Sequence, residues 1–451
     1  MPSSAELYPL VQAWIQALPA TTPLRSAALS GLAHLVTALL VGQSLRPSAL
    51  MRALLSPSPV PARQRYKRVA RAWSRPWLSP AWLGPRLIPA VLALVASNPT
   101  HRPSAGVTHL ALDSVRCGPW EVFTLGVIWH GRVLPVGWAV LPYPWPKGQF
   151  TPTVLALIRQ VGAAWPAERP VHLVADRAFP SRAVFRLLDR LHWGWTIRLR
   201  TASWVSLAGQ RQSVRSVLAQ ANFLGWTTYR MAQYASGPHE PLGTLVVGRG
   251  LLVLPEHQRG PASLRIRFDL HGRRQAHVAH KHPHQRPDAS RETDTWLALF
   301  TSHVDWMTAT TSYARRWAIE GSYRDVQGAW DGQHGWDLEP VLTRLTDAAT
   351  VERVVGLWAL GNLVQTWVGA QLSLPTTGPV PRAIQREWTT TGRLSVWARG
   401  RCALTEPSGR LRTWLELALT TGAQRVAAGS SLLQPLDGVP QGESIQRPKA
   451  A

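Results

Sequence analysis

The sequence predicts a mixed α/β fold, with helical segments before and after a sheet. Three observations carry that expectation. Residues 1 to about 105 read as helices punctuated by prolines. From about 106, three apolar, β-prone runs follow one another across short turns, and helix and strand patterns then alternate. From 341 to about 425 the pattern is mostly helical again.

In the first segment, "SAALSGLAHLVTALLVG" is an amphipathic helix and "RPSALMRALL" a short second one, ended by "PSPVP". The second carries only a weak helix-turn-helix signal. The next helix, "ARQRYKRVARAWSRPW", holds Arg63, Arg65, Lys67, Arg68, Arg71 and Arg75 with no acid among them. Such a helix can lie along a phosphate backbone. A solvated basic face is the equally weighted alternative. Residues 1–105 are therefore expected to form a basic, helical, DNA-binding domain.

From 106 to 201, "VTHLALDSVR", "EVFTLGVIWH" and "RVLPVGWAVL" read as a three-stranded meander turned by "CGPW" and "HG". "PTVLALIRQVGAAW" is a helix, "VHLVADRAF" a buried strand, "SRAVFRLLDRLHW" a helix and "WTIRLR" a strand. Residues 202–295 contain short β runs, "TLVVGRG", "LLVLPEH" and "LRIRFDL", before the basic stretch "HGRRQAHVAHKHPHQRPDASRE"; they read as a β-rich insertion. "WLALFTSH" restores a buried strand within 296–425, and helices follow. The polar, Pro/Gly-rich residues 426–451 are expected to be disordered.

The chain has 451 residues, 45% of them hydrophobic, a formal net charge of +24 and a pI near 11.5. A balance this basic points to a polyanionic partner, most often nucleic acid. Lys67, Lys147, Lys281 and Lys449 are the only lysines among 49 basic residues. The arginine fork suits phosphate, although a GC-rich genome also favours Arg. Cys117 and Cys402, the only cysteines, exclude a disulfide framework and a thiolate zinc site. The N-terminus lacks a basic region followed by a long apolar stretch, and apolar runs such as "LIPAVLALVA" are short of a membrane span. The expectation is a soluble protein in a reducing, cytoplasmic setting.

Acids are scarce, 25 in all, so three of them stand out. Asp113 follows the apolar "VTHLAL", where a charge is costly unless paired or metal-bound. Asp176 ends "VHLVA", at the carboxyl edge of a strand, where open α/β sheets place ligands. Glu320 lies in "YARRWAIEGSYRDVQG", Tyr313 to Gly328, which reads as one helix. At about 100° per residue, Tyr313, Arg316, Glu320 and Gln327 share one face within about 60°. Ile319, Tyr323 and Val326 form the adjoining, buried face. Three converging carboxylates repel unless a cation neutralises them, and Mg²⁺, with Mn²⁺ as substitute, is the natural hard cation beside phosphates. Two such ions can serve a phosphodiester displacement. The plainer alternative is local ion pairing: Asp113 with Arg116, Asp176 with Arg177, Glu320 with Arg316 or Arg324. Asp325 is a poorer third ligand, about 140° around the helix from Glu320. The cluster His277, His280, His282 and His284 matches no closed zinc spacing. Trp193 or Trp195 is a candidate to stack on an unpaired base.

"ALDSVR", "VADRAF" and the Tyr313 helix resemble the three motifs of DDE transposases of the IS4 type. In that family the third motif runs Tyr, two residues, Arg, three residues, Glu, six residues, Lys. Tyr313, Arg316 and Glu320 keep that spacing, "IEGSYRD" is similar to the family's "IE", two residues, aromatic, Arg-Asp, and Trp317 sits where Trp is common. Gln327 replaces the Lys, and Ala178 replaces the Gly that often follows Asp-Arg. The resemblance spans about 106 to 335. It implies an RNase H-like catalytic core interrupted by the β-rich insertion. It implies Asp113, Asp176 and Glu320 as a metal-binding catalytic triad, and Tyr313 and Arg316 as contacts to the DNA end, with Gln327 a weaker, neutral contact. It further implies 3′-end cleavage and transfer to target DNA, terminal inverted repeats as the bound DNA, and a homodimer in the synaptic complex. An RNase H-like nuclease without strand transfer and a decayed, DNA-binding derivative are the alternatives.

Overall fold

The computed structural model describes residues 4–18, 25–54, 61–96, 106–220, 226–235, 240–248, 297–327 and 336–371, with short pieces between 400 and 428. Its first third is helical: α1 (Ser4–Gln16), α2 (Ser26–Gly42), α3 (Pro47–Ala53), α4 (Ala62–Trp73), a 3₁₀ turn (Pro76–Leu78) and α5 (Pro80–Ala96). Pro47 opens α3 at its first turn, where its fixed φ suits a helix and its missing N–H is no loss. Prolines do not always break the pattern here. Pro85 and Pro89 lie inside α5. Each interior proline costs about 3 kcal/mol. Nine buried residues along α5, among them Leu83, Leu87, Ile88 and Val91, outweigh that cost at about 1.5–3 kcal/mol for each large one.

The sheet follows. Strands β1 (Thr108–Cys117), β2 (Trp120–Trp129) and β3 (Arg132–Pro142) form the meander. Then come α6 (Phe150–Ala164), β4 (Val171–Ala175), α7 (Arg182–Arg190) and β5 (Gly194–Arg198). Ser181 caps α7 by accepting the Val184 N–H, so the chain turns sharply after β4. Next are β6 (Trp204–Leu207), β7 (Gln210–Ser213), α8 (Val214–Gln220), β8 (Trp226–Tyr234) and β9 (Leu242–Gly248). The chain returns through β10 (Leu297–Thr301) to α9 (Trp306–Ala314), α10 (Trp317–Gln327), α11 (Leu338–Leu342) and α12 (Ala348–Gln371).

All ten described strands join one sheet, ordered β3-β2-β1-β4-β5-β10-β9-β8-β6-β7. β1, β4 and β5 run parallel, β2 is antiparallel to β1 and β3, and β10 is antiparallel to β5. β6 to β9, which fall in the segment expected as an insertion, therefore extend the core sheet through β10 and β9. "LLVLPEH" and "LRIRFDL" lie outside the described residues. So does most of the tail expected to be disordered.

Neighbouring residues of β3 show how the helices cover the sheet. Gly137 lets Val161 and Leu157 of α6 approach one face, while Trp138, pointing the other way, donates its indole N–H to the Glu352 carbonyl of α12. α12 is pressed close: a Cβ at Gly356 would meet the Leu78 carbonyl oxygen at 2.0 Å. Arg353 also donates to the Trp73 carbonyl at the end of α4. One hydrophobic core consequently runs from Leu7 and Trp14 of α1 through Phe123 and Leu173 of the sheet to Trp358 and Trp367 of α12. The N-terminal helices share the core of the sheet. Among the described residues, no single helix is long and apolar enough to cross a membrane.

Candidate active site at the carboxyl edge of the sheet

β1 and β4 are adjacent and parallel, with Leu112 opposite Ala175. The next residue of each strand line is an aspartate, so Asp113 and Asp176 emerge side by side at one edge. The third acid arrives from the far side of the sequence. Asp305 caps α9 by accepting the Thr308 N–H, which fixes where that helix starts above the sheet.

The segment read as one helix is two. Between α9 and α10, Arg316 N donates to Tyr313 O at 2.9 Å, and Ala318 and Ile319 donate to Arg315 and Arg316 at 3.0 Å. These three-residue bonds tighten the turn and swing the two arginines apart. Arg315 reaches His109, at 2.7 Å to Nδ1. Arg316 reaches the acids. His109 and Asp113 are four apart on β1 and share a face, so successive arginines clamp the turn along one strand. Ile319 and Tyr323 are buried as the periodicity anticipates.

Arg316 is the hub of the site. Its Nη1 donates to Asp113 Oδ2 at 2.9 Å and its Nη2 to Glu320 Oε1 at 2.9 Å. Its side chain is only 5% exposed. Tyr313, also buried, donates its hydroxyl to Asp176 Oδ1 at 3.0 Å, and Arg198 stands 3.8 Å from the same oxygen. The Ser114 N–H binds Asp113 Oδ1 at 2.9 Å. The local pairing weighed for Asp113 with Arg116 thus gives way to a long-range one with Arg316, and Asp176 takes long-range partners in Tyr313 and Arg198. Arg116 instead lies over the Tyr143 ring at 3.9 Å. Glu320 does pair with Arg316, four residues earlier.

Burial raises the Asp113 pKa to about 6, against the pull of Arg316 and the Ser114 N–H, and the charges of Asp176 and Glu320 push the same way. Burial pushes Asp176 up as well, but Arg316, the Arg177 N–H, Arg198 and Tyr313 together hold it below the ordinary carboxylate value. Burial also keeps Tyr313 protonated, well above a free tyrosine. For Arg316 burial alone would lower the pKa; Tyr313 and the three acids reverse that and hold it raised. Two cations, Arg316 and Arg198, therefore serve three carboxylates. Among the described residues no group of three His, Cys, Asp or Glu side chains is placed to hold a metal ion, and Arg316 stands between Asp113 and Glu320. Carboxylate oxygens are the donors a hard divalent ion takes, and here they are occupied by Arg316, Tyr313 and Arg198.

Arg198 and its neighbour Arg200 went unremarked in the sequence. Together with Arg177, Thr201 and Leu218 they line a cavity of about 470 Å³ beside Asp176. The alternation of Arg at the end of the apolar "WTIRLR" was the available signal, since it sets both on one face. On α4, Arg63, Lys67, Arg68 and Arg71 are exposed and Arg65 is half-buried, while Val69 and Trp73 anchor the helix; Arg75, just beyond, is exposed too. Gln327 closes α10, but its side chain, like Asp325, lies outside the described residues, as do His277, His280, His282 and His284. Trp193 and Trp195 are not available for stacking. Both are buried, and Trp195 packs on Phe185 and Phe300 in the core. No protein-family model and no curated protein matches the chain.

Proposed function

We propose that this protein is a DNA transposase of the IS4 type, which cleaves the ends of an insertion sequence and joins the 3′-OH ends to target DNA. The observation that carries the reading is the convergence at Arg316: three acids, with 62 residues between the first two and 143 between the second and third, meet at one sheet edge beside a buried Tyr and Arg. Arg316 pairs with two of the acids and Arg198 with the third, so three carboxylates share two cations, and a divalent cation would complete the balance.

On this reading the mixed sheet is an RNase H-like core. Its adjacent parallel strands deliver Asp113 and Asp176, and α10 delivers Glu320. These three would hold Mg²⁺ or Mn²⁺. When bound, the metal supplies positive charge for the carboxylates and for the phosphodiester under attack. Tyr313 holds Asp176 ionised and in place. Arg316, with one arm of its fork on each, keeps Asp113 and Glu320 apart. Arg198 and Arg200 give the neighbouring cavity a cationic wall. The exposed basic face of α4 would bind the terminal repeats, and two chains would bring two ends together.

The test is cleavage of plasmid DNA carrying the repeats that flank the coding sequence, with Mg²⁺ or with EDTA. Metal-dependent cuts at the repeats, lost in Glu320→Ala, are expected. Cuts without joining would favour a nuclease. A gel shift with no cutting in either Mg²⁺ or Mn²⁺ would favour a decayed binding protein, and Gln327→Lys would show whether that position is the cause.

A further inference from the structure

Under α9 the sheet carries a buried polar layer that the acids do not use. His109 and His172 stand opposite each other on β1 and β4, in the register that brings Asp113 and Asp176 side by side four residues later. Each histidine therefore lies on the same face as its acid. His172 bonds Thr196 at 2.9 Å, and Thr196 bonds Thr301 at 2.8 Å. His303, just past β10, stacks on His172 at 4.2 Å and reaches Ser312 of α9 at 3.1 Å. Ser312 in turn lies 3.4 Å from His109 Nε2. All of these side chains are buried except His303, which is half-buried. A polar network thus crosses four strands and rises into α9, and Arg315 closes it.

Arg315 Nη1 stands 2.7 Å from His109 Nδ1 and 3.3 Å from Nε2. A guanidinium can only donate, so the ring must offer a lone pair, and His109 serves as a neutral acceptor. Burial first, and then the charge of Arg315, holds its pKa at about 3. Hydrogen bonds from a charged donor are the strong ones. This one sits where α9 stops and the tight turn begins, since the Arg315 N–H already bonds the Ser312 carbonyl. In an unbroken helix neighbouring side chains point about 100° apart. Here two successive guanidiniums reach one strand, at His109 and at Asp113. We propose that His109 and Arg315 are a positioning pair: the neutral ring holds Arg315, and Arg315 holds the α9–α10 turn at the angle that sets Arg316 and Glu320 against Asp113. Both act through Arg316 and Glu320 and not on the DNA. The proposal rests on the reading of the protein as a metal-dependent transposase, and it adds which groups aim the third acid.

The experiment uses the full chain and plasmid DNA carrying the flanking repeats. Wild type, His109→Gln, His109→Phe, Arg315→Gln and the double variant His109→Phe/Arg315→Gln are compared well below the lowest melting temperature. DNA affinity, cleavage rate at saturating protein, melting temperature and its gain on adding Mg²⁺ are read for each. His109→Phe and Arg315→Gln should each slow cleavage about thirtyfold while binding DNA within about twofold of wild type. The double variant should be no slower than the slower single, because the two residues act as one unit. His109→Gln keeps an acceptor and should recover cleavage to within about fivefold of wild type, even where it melts as low as His109→Phe. The Mg²⁺ gain should shrink in His109→Phe and Arg315→Gln and persist in His109→Gln. Arg315 is half-buried at a turn, so Arg315→Gln keeps the test open if His109→Phe fails to fold. Cleavage losses that follow melting temperature alone, with His109→Gln as slow as His109→Phe, or losses that multiply in the double variant, overturn the pair while leaving the transposase reading intact. A wild type that gains stability from Mg²⁺ but never cuts sinks the transposase reading alone, and the pair then stands or falls on the Mg²⁺ gain of its variants. A wild type that neither cuts nor responds to Mg²⁺ overturns both.

Discussion

The Tyr313 hydroxyl donates to Asp176 Oδ1 at 3.0 Å across 137 positions of sequence. Burial holds Tyr313 protonated, so it stays a donor at any working pH, and it helps to keep Asp176 ionised. Tyr313→Phe removes the bond and little volume. A hydrogen bond to a charged group is worth about 1.5–3 kcal/mol, so cleavage should fall roughly tenfold to a hundredfold. The acidic limb of the pH–rate profile should move up, because Asp176 loses one of the groups that depress its pKa. A rate drop with an unmoved acidic limb would assign Tyr313 to DNA contact alone.

Arg316 neutralises the acids from within. Arg316→Ala leaves Asp113 and Glu320 without their cation and should cost about 3–5 kcal/mol of stability, as breaking a buried pair does. Millimolar Mg²⁺ should restore more of the thermal stability of Arg316→Ala than it adds to wild type, since a ligand of the native state stabilises by mass action. Equal Mg²⁺ shifts in both proteins would count against the carboxylates as its ligands. Arg316→Lys can bridge one acid but not two, and should fall between.

Asp113 is an acid that the fold pays to keep charged. Its pKa rises from 3.8 to about 6 on folding. Above pH 6 the native state holds an ionised carboxylate that the unfolded chain hydrates more favourably, so the charge lowers stability there. The loss shrinks as pH falls through 6 and is gone below 3.8. Asp113→Asn should abolish cleavage while raising stability by about 1–2 kcal/mol at pH 7, with no gain near pH 3.5. Denaturant midpoints at the two pH values check this; a destabilised Asp113→Asn at pH 7 would refute it.

Beneath the site three histidines meet. His172 stacks on His303 at 4.2 Å and lies 5.4 Å from His109. Burial, Arg315 and His303 hold His109 near 3; His172 is lowered by burial and its two neighbours, and His303 by burial and then Arg315, against the opposing pull of Asp305. Unfolded histidines take protons from about pH 6.5 downward; these do so only at lower pH. Their contribution is therefore complete above about 6.5 and is lost progressively on acidification. Between pH 7 and 5 stability should fall by roughly 2–5 kcal/mol, with Asp113 offsetting part of it. Unchanged denaturant midpoints across that range would show that the cluster accepts charge.

Much of the frame was legible in the chain. "SAALSGLAHLVTALLVG" is α2 to the residue, "VTHLALDSVR" covers all of β1 but its last residue, and "VHLVADRAF" contains β4 and Asp176. Periodicity of apolar residues reports such elements because burial dictates it. The tight turn at Arg315 and Arg316 was not legible, since its cause is a pair of partners over 200 positions away, His109 and Asp113. Nor were β6, where adjacent Val205 and Ser206 are both buried, and β8, which is mostly exposed or half-buried; neither carries a clear alternation. The stacking guesses at Trp193 and Trp195 failed because a tryptophan beside a motif in sequence can point into the core, as both do.

The bond from Arg353 to the end of α4, and the close seat of α12 against Trp138, have a consequence for how DNA can be read. If the basic face of α4 grips one stretch of duplex while Asp113 and its companions cut another, packing against α12 fixes the spacing of the two. The protein then behaves as a ruler. Adding about 5 base pairs between the gripped stretch and the cut rotates the scissile phosphate to the far side of the duplex, out of reach, and a full turn of about 10.5 restores its facing but not its distance.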